Sequence, residues 1–479
     1  MNKLVSICAL VILLSSCITK EPENFATING KGLSPDIEKI EFMWFKENPA
    51  DPKNNTKTAY PDSTGHFSIT IPLQKISKGM MTYNNKRNSL VLSPGDQLEI
   101  TVDDDSLHFE GIGATPNSFL YQLEKVKKCD RIELMRSWYT KEHTLEDMFT
   151  MITDYVNLRQ NELAIFKKKH ELQKEFIHFF ETETKIDNIN LLNKAPQAYS
   201  RKNKVDMNSL QLPAGSDKYN TIASIQNDEY LICSDYIHLF SSLIRKESQK
   251  RMASDTTLSR EDAKLSVIMD SLSGKTRENV LVLEIYFNLT FRNTDAPKYI
   301  ESFTKISTDP NCKMVVDREV NLRNAKKAMI DAPLSPELLQ TALHSSDEME
   351  LTIEDLIAQH KGKVVYLDIW SLGCGPCRMI MPESKKLKES LSDQPIEFIY
   401  ATIDGKSDKL WPEVFKVSLT DKNHYRFDNG FDSKLHKSLS IIAVPTYLLI
   451  NKEGKLISYN ADRPGSPKLK EQLLELASK

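Results

Sequence analysis

The chain has 479 residues, with 63 Lys and Arg against 66 Asp and Glu and a net charge of −3 at pH 7. That length supplies about two to four domains and enough residues for several cores. No basic stripe or long like-charge block occurs, which leaves nucleic-acid binding without support.

Residues 1–16 read as an export signal. Lys3 gives the positive start, and Leu4 to Leu14 a short apolar core. That core is too short to cross a bilayer, which takes about 20 residues. Leu14-Ser15-Ser16-Cys17 resembles a bacterial lipobox, with cleavage before Cys17 and lipid on its sulfur. The alternative is a plain secretory signal with a leftover cysteine. Several acyl chains make a firm anchor, since each buried methylene is worth about 0.8 kcal/mol. The expectation is a body lipid-anchored to a membrane of the cell envelope, facing the periplasm or exterior, on a polar tether over 17–27.

Over 28–112 the pattern has period two. Ile40, Phe42 and Trp44 alternate with Glu41 and Met43; Phe67, Ile69 and Ile71 with Ser68 and Thr70; Leu98, Ile100 and Val102 with Glu99 and Thr101. Turn residues at Asp62-Ser-Thr-Gly65 and Pro94-Gly95-Asp96 precede the second and third runs. This predicts an antiparallel, sandwich-like β domain.

Residues 113–345 predict an all-α region. Thr144-Leu-Glu-Asp147 is a capping-box start, followed at helical spacing by Leu145, Met148, Ile152, Tyr155, Leu163 and Phe166. Leu231, Ile232, Tyr236, Leu239, Phe240, Leu243 and Ile244 predict another amphipathic helix, with breaks near Asn193–Ala214 (Pro196, Pro213), Gly274 and Ala296-Pro297. Such stripes are core, which makes this region a spacer or dimerisation module. Cys129, Cys233 and Cys312 are widely spaced; two could pair in an oxidising envelope, or buried thiols could remain free. His170 and His178, eight apart among lysines on one expected helix, suit a solvated or packed face better than metal binding.

From 346 to 479 the order becomes α/β: strand 363–370, helix 375–391, strand 396–403, a helical insertion 407–418, a helix near 431–438, a hairpin of 446–450 with 455–459, and a final helix 467–478. This predicts a mixed sheet with helices on both faces. The apolar run Val364 to Trp370 leads through a short turn to Cys374-Gly375-Pro376-Cys377 at a helix start. The spacing places Cys374 at the helix N-terminus, where free N–H groups and the helix dipole favour a thiolate. Cys377 lies one turn inside, close enough to close a small disulfide ring. Half of a structural zinc site is the competing reading, but no second Cys/His pair at ligand spacing occurs. No metal and no cofactor is expected.

Asp368 stands on the strand before Cys374, Pro382 inside the helix after Cys377, and Ile442-Ala-Val-Pro-Thr-Tyr-Leu-Leu-Ile450 follows. This constellation resembles the thioredoxin superfamily, and within it the membrane-anchored, cell-envelope branch of thioredoxin-like disulfide reductases. The β segment, ending in Phe109-Glu-Gly-Ile-Gly-Ala-Thr-Pro-Asn117, is similar to the N-terminal β domain that precedes thioredoxin domains in Bacteroidota lipoproteins. The resemblance implies that Cys374 attacks a substrate disulfide and Cys377 resolves the mixed disulfide. A buried Asp368, its carboxyl raised by burial, would accept or return the Cys377 proton. It also implies a cis-proline at Pro445 and a substrate surface of Val444, Pro445, Trp370, Gly375 and Pro376. The implied partners are protein disulfides and a membrane thiol electron donor; the Gly-Pro dipeptide favours reduction over oxidation.

Two positions depart from the family pattern. Gly373 stands where thioredoxins carry Trp, and Tyr400 where they often place a lysine near the buried Asp. The substrate surface and the proton path are therefore expected to differ. Peroxide reduction is disfavoured, since no Pro-x-x-x-Thr-x-x-Cys pattern surrounds Cys374. The non-enzymatic alternative is an envelope binding lipoprotein with a vestigial thioredoxin domain.

Overall fold

The computed structural model describes residues 24–479 except 35–36, 45–50, 52–54, 85, 104–105, 127–128, 215, 293 and 406–422. The expected export signal, Cys17 and the helix expected at 407–418 lie outside the described residues. The chain divides into two compact units, Met1–Ile285 with Lys298–Val315, and Tyr286–Pro297 with Val316–Lys479.

The first unit opens with eight strands: β1 (Phe25–Lys31), β2 (Ile40–Trp44), β3 (Asn55–Ala59), β4 (Phe67–Pro72), β5 (Ser77–Tyr83), β6 (Lys86–Leu92), β7 (Gln97–Asp103) and β8 (Ser106–Ile112). They form two four-stranded sheets, ordered β4-β1-β7-β8 and β3-β2-β5-β6. The pairings are antiparallel apart from β1 with β7, which is parallel. Period-two alternation turns Ile40, Phe42 and Trp44, Phe67, Ile69 and Ile71, and Leu98, Ile100 and Val102 into one shared core. Strand β1 begins at Phe25, inside the segment expected to be tether, because Ala26 and Ile28 also fill that core.

Helices follow: α1 (Ala114–Lys125), α2 (Arg131–Thr140), α3 (Leu145–Lys167), α4 (Lys174–Asn203), α5 (Ile222–Ile225), α6 (Phe240–Ser254), α7 (Arg260–Ser271), α8 (Gly274–Thr290), α9 (Pro297–Ile306) and α10 (Pro310–Ala328). The capping box at α3 forms, with the Thr144 side chain accepting from the Asp147 N–H and the Asp147 carboxylate accepting from the Thr144 N–H. The break expected near Asn193–Ala214 comes at the end of α4, after Asn203, and the helix runs through Pro196. A proline inside a helix costs about 3 kcal/mol, but Leu191, Ala195 and Ala198 on either side are buried against α3. The helix expected over Leu231–Ile244 is instead two 3-10 turns, 228–232 and 234–239, before α6 begins. Cys233 is extended between them, and the Tyr236 hydroxyl ties this segment to Ile225 and Asn227. His170 lies past the end of α3, stacked on Phe166, while His178 is exposed on α4, so the two do not share a helix.

Within this unit, Lys78 on β5 and Arg159 on α3 both pair with Glu183 on α4, at 2.6 and 2.8 Å. The Tyr155 hydroxyl donates to Asp187, which also pairs with Arg131. These side chains, with Cys129 and Cys233, line a cavity of about 680 Å³. Cys129, Cys233 and Cys312 are buried and are not joined in disulfides.

The second unit adds α11 (Pro336–Leu339), β9 (Ala342–Ser345), β10 (Glu350–Thr352), α12 (Ile353–Gln359), β11 (Val364–Trp370), α13 (Gly375–Glu389), β12 (Ile396–Thr402), β13 (His424–Phe427), α14 (Lys434–Ser438), β14 (Thr446–Ile450), β15 (Leu456–Ser458) and α15 (Pro467–Ser478). Its sheet runs β10-β9-β13-β12-β11-β14-β15. Strand β11 lies parallel to β12 and antiparallel to β14. The sheet thus begins at β9, within the stretch read as helical region. Val364, Tyr366 and Trp370 face a core shared with α13 and α15, and Val365, Leu367 and Ile369 a core on the other face, with α12 and α14. Burial on both faces is why 364–370 reads as an unbroken apolar run.

Candidate active site

The central strand β11 delivers the chain to the end of the sheet, where a short turn starts α13. Cys374 is the N-cap of that helix, and its sulfur accepts from the Cys377 N–H at 3.1 Å. Pro376 sits in the first turn, where a missing N–H costs nothing. The side chains of Cys377, Met381, Ser384 and Leu387 are buried at helical spacing, so the same stripe that packs α13 carries Cys377 inward. Cys374 and Cys377 are joined as a disulfide. Cys374 is half-buried and Cys377 only 1% exposed, so an incoming thiol meets Cys374. Once reduced, Cys374 holds its charge at a helix N-terminus with an N–H already aimed at it.

The peptide bond between Val444 and Pro445 is cis, and the Val444 carbonyl oxygen lies 3.6 Å from the Cys374 sulfur. These residues and the exposed Gly375 and Pro376 meet at the cysteine pair. Trp370, expected on the substrate surface, is not there: it is 1% exposed, in the core beneath the pair. A Cβ at Gly373 would meet only the Ser371 hydroxyl, at 3.8 Å, so the approach to Cys374 is open on that side.

Asp368 is 1% exposed, and strand alternation turns it to the α13 face with Tyr366 and Trp370. Burial pushes its carboxyl up to about 7. Its Oδ1 has no hydrogen-bond partner among the described residues. Directly opposite on β12 stands Tyr400, whose hydroxyl is 3.0 Å from that of Ser384 on α13. The expected departure from a lysine is thus physically a neutral phenol, held up to about 12 chiefly by burial.

Sequence reasoning missed Asp404. Its carboxylate accepts from the Leu372 N–H and the Ser371 hydroxyl, both at 2.7 Å, and from the Thr402 hydroxyl at 2.5 Å. It clamps the turn between β11 and Cys374 from the end of β12. An Asp two residues beyond Thr402 at the end of β12 was the available signal, but its partners are set only by the parallel β11–β12 register. The described residues hold no cluster of three or more His, Cys, Asp or Glu able to bind a metal. No described helix is long and apolar enough to cross a membrane.

Residues 362–456 match the Thioredoxin-like family profile. Among curated proteins, the thiol-disulfide oxidoreductase ResA of Bacillus thuringiensis is 28% identical over 116 residues, which is 24% of this chain and 65% of that protein. A thioredoxin of Coprinus comatus is 37% identical over 49 residues, 10% of this chain and 46% of that one. The chain thus spans less than two thirds of the length of these relatives. Similar solved structures include the thioredoxin domain of a Bacteroides vulgatus thiol-disulfide oxidoreductase, at 18% identity and a TM-score of 0.25, over 30% of this chain and 99% of that one. A thiol:disulfide interchange protein from Bacteroides sp. is likewise 18% identical with a TM-score of 0.25, over 29% and 86%. The C-terminal α/β domain, with a cysteine pair at the head of α13, is thus a thioredoxin-like domain.

Proposed function

We propose that the protein is a lipid-anchored thiol–disulfide oxidoreductase of the cell envelope that reduces protein disulfides. The observation that carries this reading is the asymmetry of the cysteine pair, an accessible Cys374 at a helix N-cap joined to a buried Cys377 on the face that also holds Asp368. The reduced Cys374 thiolate attacks one sulfur of a substrate disulfide, forming a Cys374–substrate bond and releasing the other substrate sulfur as a thiolate that takes a proton. Asp368 then accepts the Cys377 proton. The Cys377 thiolate attacks the Cys374 sulfur, the intramolecular disulfide forms, and the second substrate sulfur leaves as a thiol after protonation. Two electrons have passed to the substrate, and a membrane thiol donor returns them by reducing the Cys374–Cys377 disulfide. The Gly375-Pro376 dipeptide supports the reducing direction. The lipobox-like Cys17 supports the anchor and the envelope location.

An insulin-reduction assay on the dithiothreitol-reduced full chain tests the activity. The wild-type chain should accelerate precipitation of the insulin B chain, and Cys374→Ser should fall to the rate of the reductant alone. A wild-type rate no faster than the reductant alone would favour the binding lipoprotein with a vestigial domain.

A further inference from the structure

Three phenols flank Asp368. Tyr366 precedes it by two residues on β11, Tyr400 stands directly opposite on β12, and Tyr447 directly opposite on β14. All three belong to the core that contains Cys377. Two of their hydroxyls are committed elsewhere: Tyr366 donates to the Asp462 carbonyl at 2.9 Å, and Tyr400 shares a hydrogen bond with Ser384. The Tyr447 hydroxyl is buried and has no partner among the described residues, and neither has Asp368 Oδ1. One is a donor in search of an acceptor, the other an acceptor in search of a donor. Opposite residues on antiparallel strands have Cβ atoms about 4.5–5.5 Å apart. The Tyr447 ring is also stacked on Tyr366, centroids 5.4 Å apart at 13°, which holds the ring on the face that carries Asp368.

We infer that Tyr447 is a positioning residue whose hydroxyl, directly or through one water, donates to the Asp368 carboxylate and sets the pH at which that carboxylate takes the Cys377 proton. This deepens the disulfide-exchange reading and rests on it. Burial, then the Asp368 charge, keeps the Tyr447 phenol protonated well above the ordinary range, so it remains a donor wherever the enzyme works. The other titratable groups around the Asp368–Tyr447 pair are Tyr366 on β11, Tyr400 on β12 with the neutral His424 stacked behind it on β13, Cys377 on α13, and Asp462 and Arg463 before α15. Burial alone accounts for the upward shift of Asp368. A donated hydrogen bond favours the charged carboxylate and holds that shift in check. In the resolving step the proton leaves the Cys377 sulfur for the Asp368 carboxylate, while the Cys377 electron pair forms the bond to Cys374.

The test is a titration of Asp368 by carbon-13 NMR on aspartate-labelled full chain, assigned with Asp368→Asn, alongside the pH profile of insulin reduction. Tyr447→Phe should raise the Asp368 midpoint by about one pH unit and move the ascending limb of the profile with it. Tyr366→Phe and Tyr400→Phe should leave the midpoint within about 0.3 unit. Should Tyr447→Phe fold poorly, 3-fluorotyrosine at position 447 keeps the shape but strengthens the donor, and should lower the midpoint instead. An unmoved midpoint in both Tyr447 variants, or an equal shift in Tyr400→Phe, overturns the assignment. A wild-type chain that reduces no disulfide would defeat the exchange reading separately, and the carboxyl titration would still decide the place of Tyr447.

Discussion

Asp368 is a carboxyl only 1% exposed, a burial that burdens the fold and that the proposed mechanism uses for a proton acceptor. Its folded value of about 7 lies above the ordinary 3.8 because burial disfavours the charged form. A carboxyl raised on folding stabilises the native state when protonated. That contribution is full below about pH 4 and is lost as the pH rises through about 7. A shift of this size corresponds to on the order of 4 kcal/mol at most. Asp368→Asn cannot ionise, so its stability relative to the wild type should grow steadily from pH 4 to pH 8 in denaturant unfolding. The same variant should slow disulfide reduction at pH 7 and above, where the base is needed. Parallel stability profiles together with equal turnover across this range would remove Asp368 from the mechanism.

The turn between β11 and α13 is only as rigid as the groups that hold it, and its holder comes from another element. Asp404, just beyond β12, takes the Leu372 N–H and the Ser371 hydroxyl and so fixes the path of the chain into Cys374. Removing the acceptor leaves the N–H of the buried Leu372 without a partner, a cost of about 1–3 kcal/mol. Asp404→Ala should therefore lower stability by about that amount and reduce the catalytic efficiency of insulin reduction roughly ten-fold, as expected for a misplaced nucleophile. Unchanged kinetics in a destabilised variant would make Asp404 a fold residue alone. This clamp was invisible in the sequence for a physical reason. Leu372 and Asp404 are 32 residues apart, and only the pairing of β11 with β12 brings them together. Strands β9 and β13 escaped for a related reason: Ala342–Ser345 and His424–Phe427 are four residues each, too short for periodicity to show. By contrast, β11 and α13 were legible because both-face burial and capping leave local signatures, and Asp368, Cys374 and Cys377 lie on or at the head of those elements, while Pro445 stands directly before the apolar run of β14. Tyr447 was read as part of an apolar strand, since its unspent hydroxyl depends on which neighbours β11 and β14 place opposite each other.

At the scale of the whole molecule, the sequence pattern separated an N-terminal β domain, a helical middle and a C-terminal α/β domain. It misjudged part of the middle, where Leu231–Ile244 was expected to form one helix, and it placed a break near Asn193–Ala214 without showing that the helix passes Pro196 before ending at Asn203. Tertiary burial overrode the proline, and side-chain bonds from Tyr236 broke the expected helix into turns. The proposed anchor makes its own prediction about where the molecule resides. Cys17→Ser should shift the protein from the membrane to the soluble fraction, or leave the precursor unprocessed. Wild-type protein that is soluble, with an unmodified N-terminus elsewhere, would contradict the anchor. The proposed mechanism stands or falls on the order of the two sulfurs, and trapping in envelope extracts decides that order. With Cys377→Ser, no thiol remains to resolve the attack, so Cys374 should accumulate mixed disulfides with client proteins that disappear on reduction. With Cys374→Ser almost none should form. Trapping by Cys374→Ser and not by Cys377→Ser would reverse nucleophile and resolver and overturn this order.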